Sequence, residues 1–209
     1  MIERRLILKK AVILLFVFGM LIFLAACISE NPRYIIAMEL APTDLQAEKI
    51  ITPVVTIETG STLDSNLTMG QLNALTSAKS YLNIMPFSRN ELINQLEYEN
   101  YSHQDAVFAV DHSGANWHEQ ALKEAISYLD FAAFSYSRMI KQLEFEGYTN
   151  EQATYAAKRC GADWFEQAAK SAESYLSLMS FSRDDLIKQL EFEGFTTEQA
   201  IYGVEANGY

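Results

Sequence analysis

A segment of the form Gln-Leu-Glu-aromatic-Glu occurs three times in this 209-residue chain. Its members are Glu97, Tyr98 and Glu99, then Glu144, Phe145 and Glu146, and finally Glu191, Phe192 and Glu193. Paired carboxylates can act as general acid and base, but both must then face one substrate. Side chains two positions apart on a helix diverge by about 200°. The spacing therefore does not favour acid–base catalysis.

Two interpretations of these segments are open. In the first, the glutamates cap or pair with an adjacent turn, and Arg89 or Arg183 is the ion-pair partner. In the second, each segment presents an acidic, aromatic-flanked surface to a basic or amphipathic segment of another protein. Three weak contacts on one scaffold would then gain effective concentration. The second interpretation makes all nine residues candidate partner-binding residues.

The remaining residues do not form a pattern typical of an enzyme or a metal site. The three histidines, His103, His112 and His118, lie in or beside the first copy only, whereas a metal needs several converging ligands. Cys160 precedes a glycine without the histidine and carboxylate pattern of a cysteine nucleophile. The sequence has no glycine-rich phosphate loop and no nucleophile elbow. We predict that the protein is not an enzyme and holds no metal or other non-covalent cofactor.

The second cysteine, Cys27, is the best candidate for chemistry. Residues 1–26 begin with a basic segment and continue as an apolar run from Ala11 to Ala26, which is short for a bilayer-spanning helix. The run ends in Leu24-Ala25-Ala26-Cys27, which resembles the bacterial lipobox, where the cysteine thiol receives a diacylglycerol before cleavage. Two acyl chains are enough for stable anchoring. We predict a signal peptide over 1–26 and a lipid-anchored protein on the extracytoplasmic face of the cell membrane.

The charge of the chain limits its partners. The formal net charge is −11, and residues 1–26 carry four basic and one acidic side chain, so the charge is −14 without them. Contacts to phosphates supply most of the affinity for nucleic acid, and an acidic surface repels the phosphates. We therefore expect no nucleic-acid partner. A charged protein partner would be basic.

Identical residues at a fixed interval show that one unit occurs three times. Tyr81, Tyr128 and Tyr175 lie 47 residues apart (81 to 128, 128 to 175), and Trp117 and Trp164 keep the same interval. A period of this length is typical of stacked supersecondary units. We predict a flexible linker over 27–67, which begins with the lipidated residue, and repeats over 68–116, 117–163 and 164–209. The two tryptophans are the predicted packing anchors between repeats.

Each repeat has the pattern of three short helices. Polar capping residues occur where the helices would begin, and glycine or asparagine where the second helix would end. The predicted starts are Ser88, Ser102, Asn116, Thr149, Asp163, Ser182 and Thr196, and the predicted ends are Asn100, Gly147 and Gly194. The apolar face of the first helix in the third repeat comprises Ala169, Ala172, Leu176 and Met179. We predict an all-α protein with a helix-turn-helix-like corner in each repeat.

The third repeat carries the most distinctive sequence. It reads Phe181-Ser182-Arg183, then Leu186-Ile187-Lys188-Gln189-Leu190-Glu191-Phe192-Glu193-Gly194-Phe195-Thr196, then Glu198-Gln199-Ala200 and Tyr202-Gly203-Val204. With the lipobox, this sequence resembles the Ltp-like family of host cell-surface-exposed lipoproteins. The first repeat departs from the pattern at Asn100 and over 103–105. The second has Tyr136 where the other repeats have arginine.

The resemblance implies a role that composition and spacing do not. Members of the family occur in Gram-positive bacteria and their temperate phages, where the described role is superinfection exclusion. The expectation is a lipoprotein anchored through Cys27 that binds a basic or amphipathic tail or injection protein of an incoming phage and blocks entry of its DNA. The alternative is a chromosomal cell-envelope lipoprotein that uses the same repeats as a structural or protein-interaction module.

Overall fold

The computed structural model describes residues 67–209, and these residues form nine α-helices without a strand. The helices are α1 (Met69–Ile84), α2 (Arg89–Tyr98), α3 (His103–Asp111), α4 (Trp117–Leu129), α5 (Tyr136–Phe145), α6 (Asn150–Arg159), α7 (Trp164–Leu178), α8 (Arg183–Phe192) and α9 (Thr197–Glu205). Three consecutive helices make one repeat, so the predicted all-α fold with three tandem repeats is confirmed. The predicted signal peptide, Cys27 and most of the predicted linker lie outside the described residues.

Local hydrogen bonds explain where the helices begin. Thr149 and Thr196 form full capping boxes, in which the threonine hydroxyl accepts from the N–H of the third helical residue and a glutamine side chain accepts from the threonine N–H. The predicted cap Asp163 accepts from the N–H groups of Phe165 and Glu166. These bonds span two or three residues. Sequence alone is therefore enough to place them.

The second helix of each repeat is followed by a residue in the left-handed backbone conformation. Gly147 and Gly194 have φ values of 87° and 89°, and Asn100 takes the same position in the first repeat with a φ of 68°. Glycine adopts this conformation without a side-chain penalty, and asparagine is the next most tolerant residue. The chain then turns into the third helix. This turn is the predicted helix-turn-helix-like corner.

Small residues allow the first and third helices of each repeat to pack together. In the first repeat, Ala74 and Ala78 of α1 and Ala106 and Ala109 of α3 are fully buried. The second helix completes the core with larger apolar residues. On the predicted apolar face of α7, Ala172 is buried as expected. Met179 is 44 % exposed, so the prediction is wrong for this residue. The reason is that α7 ends at Leu178 and Met179 is its C-cap, with an extended backbone.

The tryptophans that begin α4 and α7 reach back to the preceding repeat. Trp117 packs against the core of the first repeat, and the Trp164 ring contacts the ring of Tyr136 edge to face, with centroids 5.5 Å apart. Both observations agree with their predicted role as anchors between repeats. Within residues 67–209 there is no helix both long and apolar enough to cross a bilayer.

Candidate functional site

The first glutamate of each Gln-Leu-Glu-aromatic-Glu segment binds the residue that begins the third helix. Glu144 accepts a hydrogen bond from Asn150 Nδ2 over 2.8 Å, and Glu191 accepts one from Thr197 Oγ1 over 2.6 Å. Glu97 pairs with the His103 ring in the same way. In every repeat the acceptor and donor are six residues apart. These glutamates therefore brace the corner between the second and third helices.

The second glutamate of each segment turns inward and meets a tyrosine and a glutamine. The Tyr128 hydroxyl donates to Glu146 Oε1 over 2.6 Å, while Gln142 Nε2 donates to both, over 3.2 Å to the tyrosine and 3.1 Å to the carboxylate. Burial and the adjacent charge of Glu146 raise the pKa of Tyr128 well above its ordinary value. The tyrosine therefore stays a hydrogen-bond donor to the carboxylate.

The first repeat has the same three hydrogen bonds, and the third repeat has the tyrosine–carboxylate and glutamine–tyrosine bonds. The residues are Tyr81, Gln95 and Glu99 in the first repeat, and Tyr175, Gln189 and Glu193 in the third. In the sequence the three tyrosines mark the period of the repeat. The glutamines and glutamates share that 47-residue interval, and this was the signal that the three residue types act together.

The predicted arginine partners of the glutamates are wrong. Arg89 forms a bidentate ion pair with Asp111, with nitrogen–oxygen distances of 2.7 and 2.9 Å, and Arg183 bonds Glu205 over 3.1 Å. The hydrogen bond to Arg89 lowers the pKa of the Asp111 carboxyl. In both repeats the acid lies 22 residues after the arginine, on the third helix. Helix packing, which the sequence pattern does not reveal, brings these residues together.

The aromatic residue of each segment points away from the core. Tyr98, Phe145 and Phe192 are 67 %, 65 % and 71 % exposed, and they are among the most exposed large apolar side chains of residues 67–209. We call these three the exposed aromatics. Each one lies between a glutamate that braces the corner and a glutamate that binds the tyrosine. Each segment therefore holds a large exposed ring between two glutamates that make hydrogen bonds within the protein.

The other candidate residues for chemistry have structural neighbours. His112 bonds the Phe108 carbonyl over 2.7 Å, and His118 lies 5.0 Å from the Tyr155 ring. The Cys160 thiol is half-buried and donates to the Ala157 carbonyl. Across residues 67–209 there is no group of three histidine, cysteine or acidic side chains that could hold a metal ion.

Equivalent hydrogen bonds join the repeats. At the first junction, between repeats one and two, the Ser88 hydroxyl donates to the Glu146 carbonyl over 2.6 Å. At the second junction, between repeats two and three, Ser135 donates to the Glu193 carbonyl over the same distance. Both serines are fully buried N-caps. One hydroxyl thus satisfies a helix start and a neighbouring carbonyl together.

A second pair of bonds repeats across the junctions. Gln120 accepts from the Phe87 N–H over 3.4 Å, and Gln167 accepts from the Phe134 N–H over 3.2 Å. Because donor and acceptor are 33 residues apart in both cases, the two junctions orient consecutive repeats through the same backbone groups. Regular stacking of this kind presents equivalent side chains at regular intervals.

The second junction also contains an ion pair. Arg138 Nη1 lies 2.9 Å from Glu193 Oε1, and the two side chains are only 25 % and 11 % exposed. Ser171 donates to the other oxygen of Glu193 over 3.0 Å. The sequence pattern gives no sign of this role for Arg138, because only the contact across the junction reveals it.

Comparison with known proteins agrees with the repeat pattern. A family model described as host cell surface-exposed lipoprotein matches residues 71–112, 116–159 and 163–206. Among solved structures, the chain is similar to Ltp, a superinfection exclusion protein from the Streptococcus thermophilus temperate phage TP-J34. That similarity has 31 % identity and a TM-score of 0.43, and it covers 45 % of this chain and 98 % of the other. No curated protein sequence matched the chain.

Proposed function

Because the chain belongs to the host cell surface-exposed lipoprotein family, we propose that it is a superinfection-exclusion protein whose repeats bind a phage protein and block DNA entry. In this proposal Cys27 carries a diacylglycerol that holds the protein at the extracytoplasmic face of the membrane. Binding is stoichiometric, so the protein acts without catalysis. The target is a basic or amphipathic segment of a tail or injection protein, which reaches the membrane after adsorption.

The observation that carries the proposal is the threefold recurrence of an exposed aromatic beside acidic side chains. Tyr98, Phe145 and Phe192 are exposed although large apolar residues cost free energy in water, at about 25 cal/mol per Å² of apolar surface. Aromatic rings are common anchors of protein interfaces, since they bury a large area at low entropic cost. An amphipathic helix could place apolar residues on such rings.

The glutamates beside the rings define the charge of the partner. Glu144 and Glu191 are exposed and keep their contacts to the corner. Their negative charge remains at the surface next to the ring of Phe145 or Phe192. Lysine or arginine residues of the partner would complement it and accelerate encounter. Three modest sites on one stacked array would bind tightly when a single partner spans them.

The test is phage challenge of cells that express the protein, with adsorption and DNA entry scored separately. We expect normal adsorption and blocked entry. Protection should disappear with Cys27→Ser, which removes the anchor and leaves residues 67–209 unchanged. Full protection by the unanchored protein would contradict the anchoring step. Unchanged entry across a broad phage panel would contradict exclusion and favour the cell-envelope module.

A surface variant tests the exposed aromatics separately. Replacing Tyr98, Phe145 and Phe192 together by serine should abolish protection without unfolding the repeats, because these side chains lie outside the core. The matched control is Phe131→Ser, since Phe131 is 54 % exposed but belongs to the connection between α4 and α5 rather than to one of the three Gln-Leu-Glu-aromatic-Glu segments. If the triple variant protects cells as well as Phe131→Ser does, the exposed aromatics are not part of the binding surface.

A further inference from the structure

A groove of about 440 Å³ crosses the first junction, and its walls are α1 of the first repeat and the start of α4 in the second repeat. A volume of this size is typical of sites for small molecules. The charged and amide side chains that line the groove are Lys79, Asn83, Asn116, Glu119, Gln120 and Lys123. We call it the cationic groove, because it has two lysines and one carboxylate in a chain whose formal net charge is −11.

The two lysines of the cationic groove are unpaired within residues 67–209. Both side chains are exposed, and no carboxylate of those residues lies within ion-pair distance of either one. Arg89 and Arg138, by contrast, are each paired with a carboxylate. Glu119 is the carboxylate that lines the groove, and it accepts a hydrogen bond from the Tyr155 hydroxyl over 2.6 Å. The lysines are therefore the charges that the groove presents to a ligand.

Two amide groups add hydrogen-bond donors beside the lysines. Gln120 is only 6 % exposed, and its Oε1 accepts from the Phe87 N–H over 3.4 Å. Asn116 Oδ1 accepts from the N–H groups of His118 and Glu119 over 3.1 and 3.3 Å. Both oxygens are thus engaged, and each side chain keeps an NH₂ group that makes no hydrogen bond within the described part of the chain. Like an ammonium group, an NH₂ group only donates hydrogen bonds. The groove therefore offers donors and positive charge together.

The corresponding positions at the second junction have the opposite charge. The 47-residue interval relates the six side chains to those one repeat later, which are Ile126, Asp130, Asp163, Glu166, Gln167 and Lys170. One lysine and two neutral asparagines are thus replaced by isoleucine and two aspartates. Three carboxylates accompany a single lysine there, and they would repel an anion. The positive charge is therefore a property of the first junction rather than of the repeat.

We propose that the cationic groove binds a phosphate group. The terminal oxygens of a phosphate ester share its negative charge and accept hydrogen bonds from several directions, so they match ammonium and amide donors. A carboxylate has two oxygens in one plane and is better matched by the planar fork of arginine. A polyanion would also meet the acidic surface around the groove, whereas one phosphate group contacts only the groove. The ligand is thus a small phosphate ester or the phosphate of a lipid headgroup.

A bound phosphate would connect the first two repeats. Lys79 and Asn83 belong to α1 of the first repeat, whereas Gln120 and Lys123 belong to α4 of the second. A ligand that contacts both walls joins side chains of the two repeats in addition to the backbone-directed bonds of the junction. None of the exposed aromatics lines the groove. The phosphate site is therefore separate from the proposed binding surface for the phage protein and does not depend on it.

NMR of the side-chain NH₂ groups tests the proposal. The full chain is held in phosphatidylcholine bicelles, and glycerol phosphate is added. We expect the signals of Gln120 to shift and reach a plateau. Those of Gln167, whose oxygen accepts from the Phe134 N–H in the same way, should stay in place. Sodium chloride at the same ionic strength should shift neither. The absence of a shift, equal shifts of the two glutamines, or the same shift with chloride would overturn the proposal.

Removal of one lysine provides a matched comparison. Lys79→Ile introduces the residue of the second junction, and it should weaken binding about tenfold, as the loss of one charged hydrogen bond predicts. Lys141→Ile removes the same charge from an exposed position of α5 outside the groove, and binding should not change. Because both lysines are exposed, the repeats should stay folded, and an unchanged Gln167 signal checks this. Equal affinity in the two variants would contradict binding in the groove.

A second set of bicelles identifies the source of the phosphate. Phosphatidylglycerol replaces part of the phosphatidylcholine, and no soluble phosphate is added. A shift of the Gln120 signals that Lys79→Ile reduces would identify a lipid headgroup as the ligand. A shift with glycerol phosphate alone would identify a soluble phosphate ester. Both results support a phosphate site, whereas no shift under either condition would refute it.

Discussion

The two junctions have the same backbone contacts and different charges. In both, a buried serine reaches a carbonyl 58 residues later and a glutamine accepts from an N–H 33 residues earlier. The second junction adds Arg138 and its ion pair with Glu193, while the first has Glu91 at the corresponding position. The two junctions thus share the bonds that involve backbone groups, whereas the charges of the surrounding side chains differ between them.

Substitution of the junction glycines should have the largest effect on stability. A Cβ added to Gly194 would overlap Ser137 Oγ and lie 3.0 Å from Ser135 Oγ, whereas a Cβ at Gly161 would meet no atom within 4 Å. Both residues have positive φ. We expect Gly161→Ala to lose about 1–2 kcal/mol from backbone strain and Gly194→Ala to lose about 2–4 kcal/mol. Urea unfolding measures both, and equal losses would contradict close approach of the repeats.

Loss of the buried ion pair should have the next largest effect. Arg138→Met leaves Glu193 with its hydrogen bonds from Ser171 and Tyr175 but without its cation. We expect a loss of about 1–2 kcal/mol in the free energy of unfolding, below the usual value for a fully buried pair because both side chains retain some exposure.

The exposed ion pair of Arg89 and Asp111 is the control for Arg138→Met. Arg89→Met should lose at most about 1 kcal/mol, because solvent screens a surface pair. The Arg89 and Asp111 side chains are 40 % and 43 % exposed. A loss as large as that of Arg138→Met would show that the second junction gains no special stability from its arginine.

The difference between a junction serine and a serine outside the junctions should be smaller. Ser135→Ala removes a helix cap and the bond to the Glu193 carbonyl, whereas Ser182→Ala removes a cap whose hydroxyl donates only to Asp185. We expect both variants to lose about 1 kcal/mol in the free energy of unfolding with the cap. Ser135→Ala should lose about 1 kcal/mol more with the junction bond. Thermal or urea unfolding resolves the difference, and its absence would assign the serines to capping alone.

The smallest effect at neutral pH is expected for Tyr148→Phe, which reproduces Phe195 of the second junction. The hydroxyl that is removed has no hydrogen-bond partner within residues 67–209, so the free energy of unfolding should change by less than about 1 kcal/mol. Tyr128→Phe should cost more, because it removes the bond to Glu146.

Alkaline pH should separate these tyrosine variants from the parent protein. Folding raises the pKa of Tyr148. The contribution of this tyrosine to the free energy of unfolding is therefore fully present below the pKa of tyrosine in the unfolded chain, about 10, and is lost as the pH rises above that value. Each buried tyrosine should contribute a slope of about 1.4 kcal/mol per pH unit. Urea unfolding at several pH values should give a shallower slope for Tyr148→Phe, and an identical slope would contradict the burial of its hydroxyl.

The sequence alone determined the repeats, the helices and their caps. These features depend on interactions between residues three or four positions apart, such as Thr196 with Gln199, and on the 47-residue recurrence of whole units. It also indicated that Tyr98, Phe145 and Phe192 belong to a distinctive segment. It could not decide that the adjacent glutamates are held by the corner and by the tyrosines.

Only the tertiary structure decided which side chains meet across helices and junctions. Glu193 finds Tyr175 18 residues away and Arg138 55 residues away, while Arg89 pairs with Asp111 rather than with a glutamate of its own helix. Such contacts depend on the angles at which helices pack, and many charge pairings are compatible with one pattern of apolar residues. The two junctions differ in these contacts between repeats. A glutamate at position 91, where the second junction has Arg138, leaves the helices and caps intact and changes only the contact between neighbouring repeats.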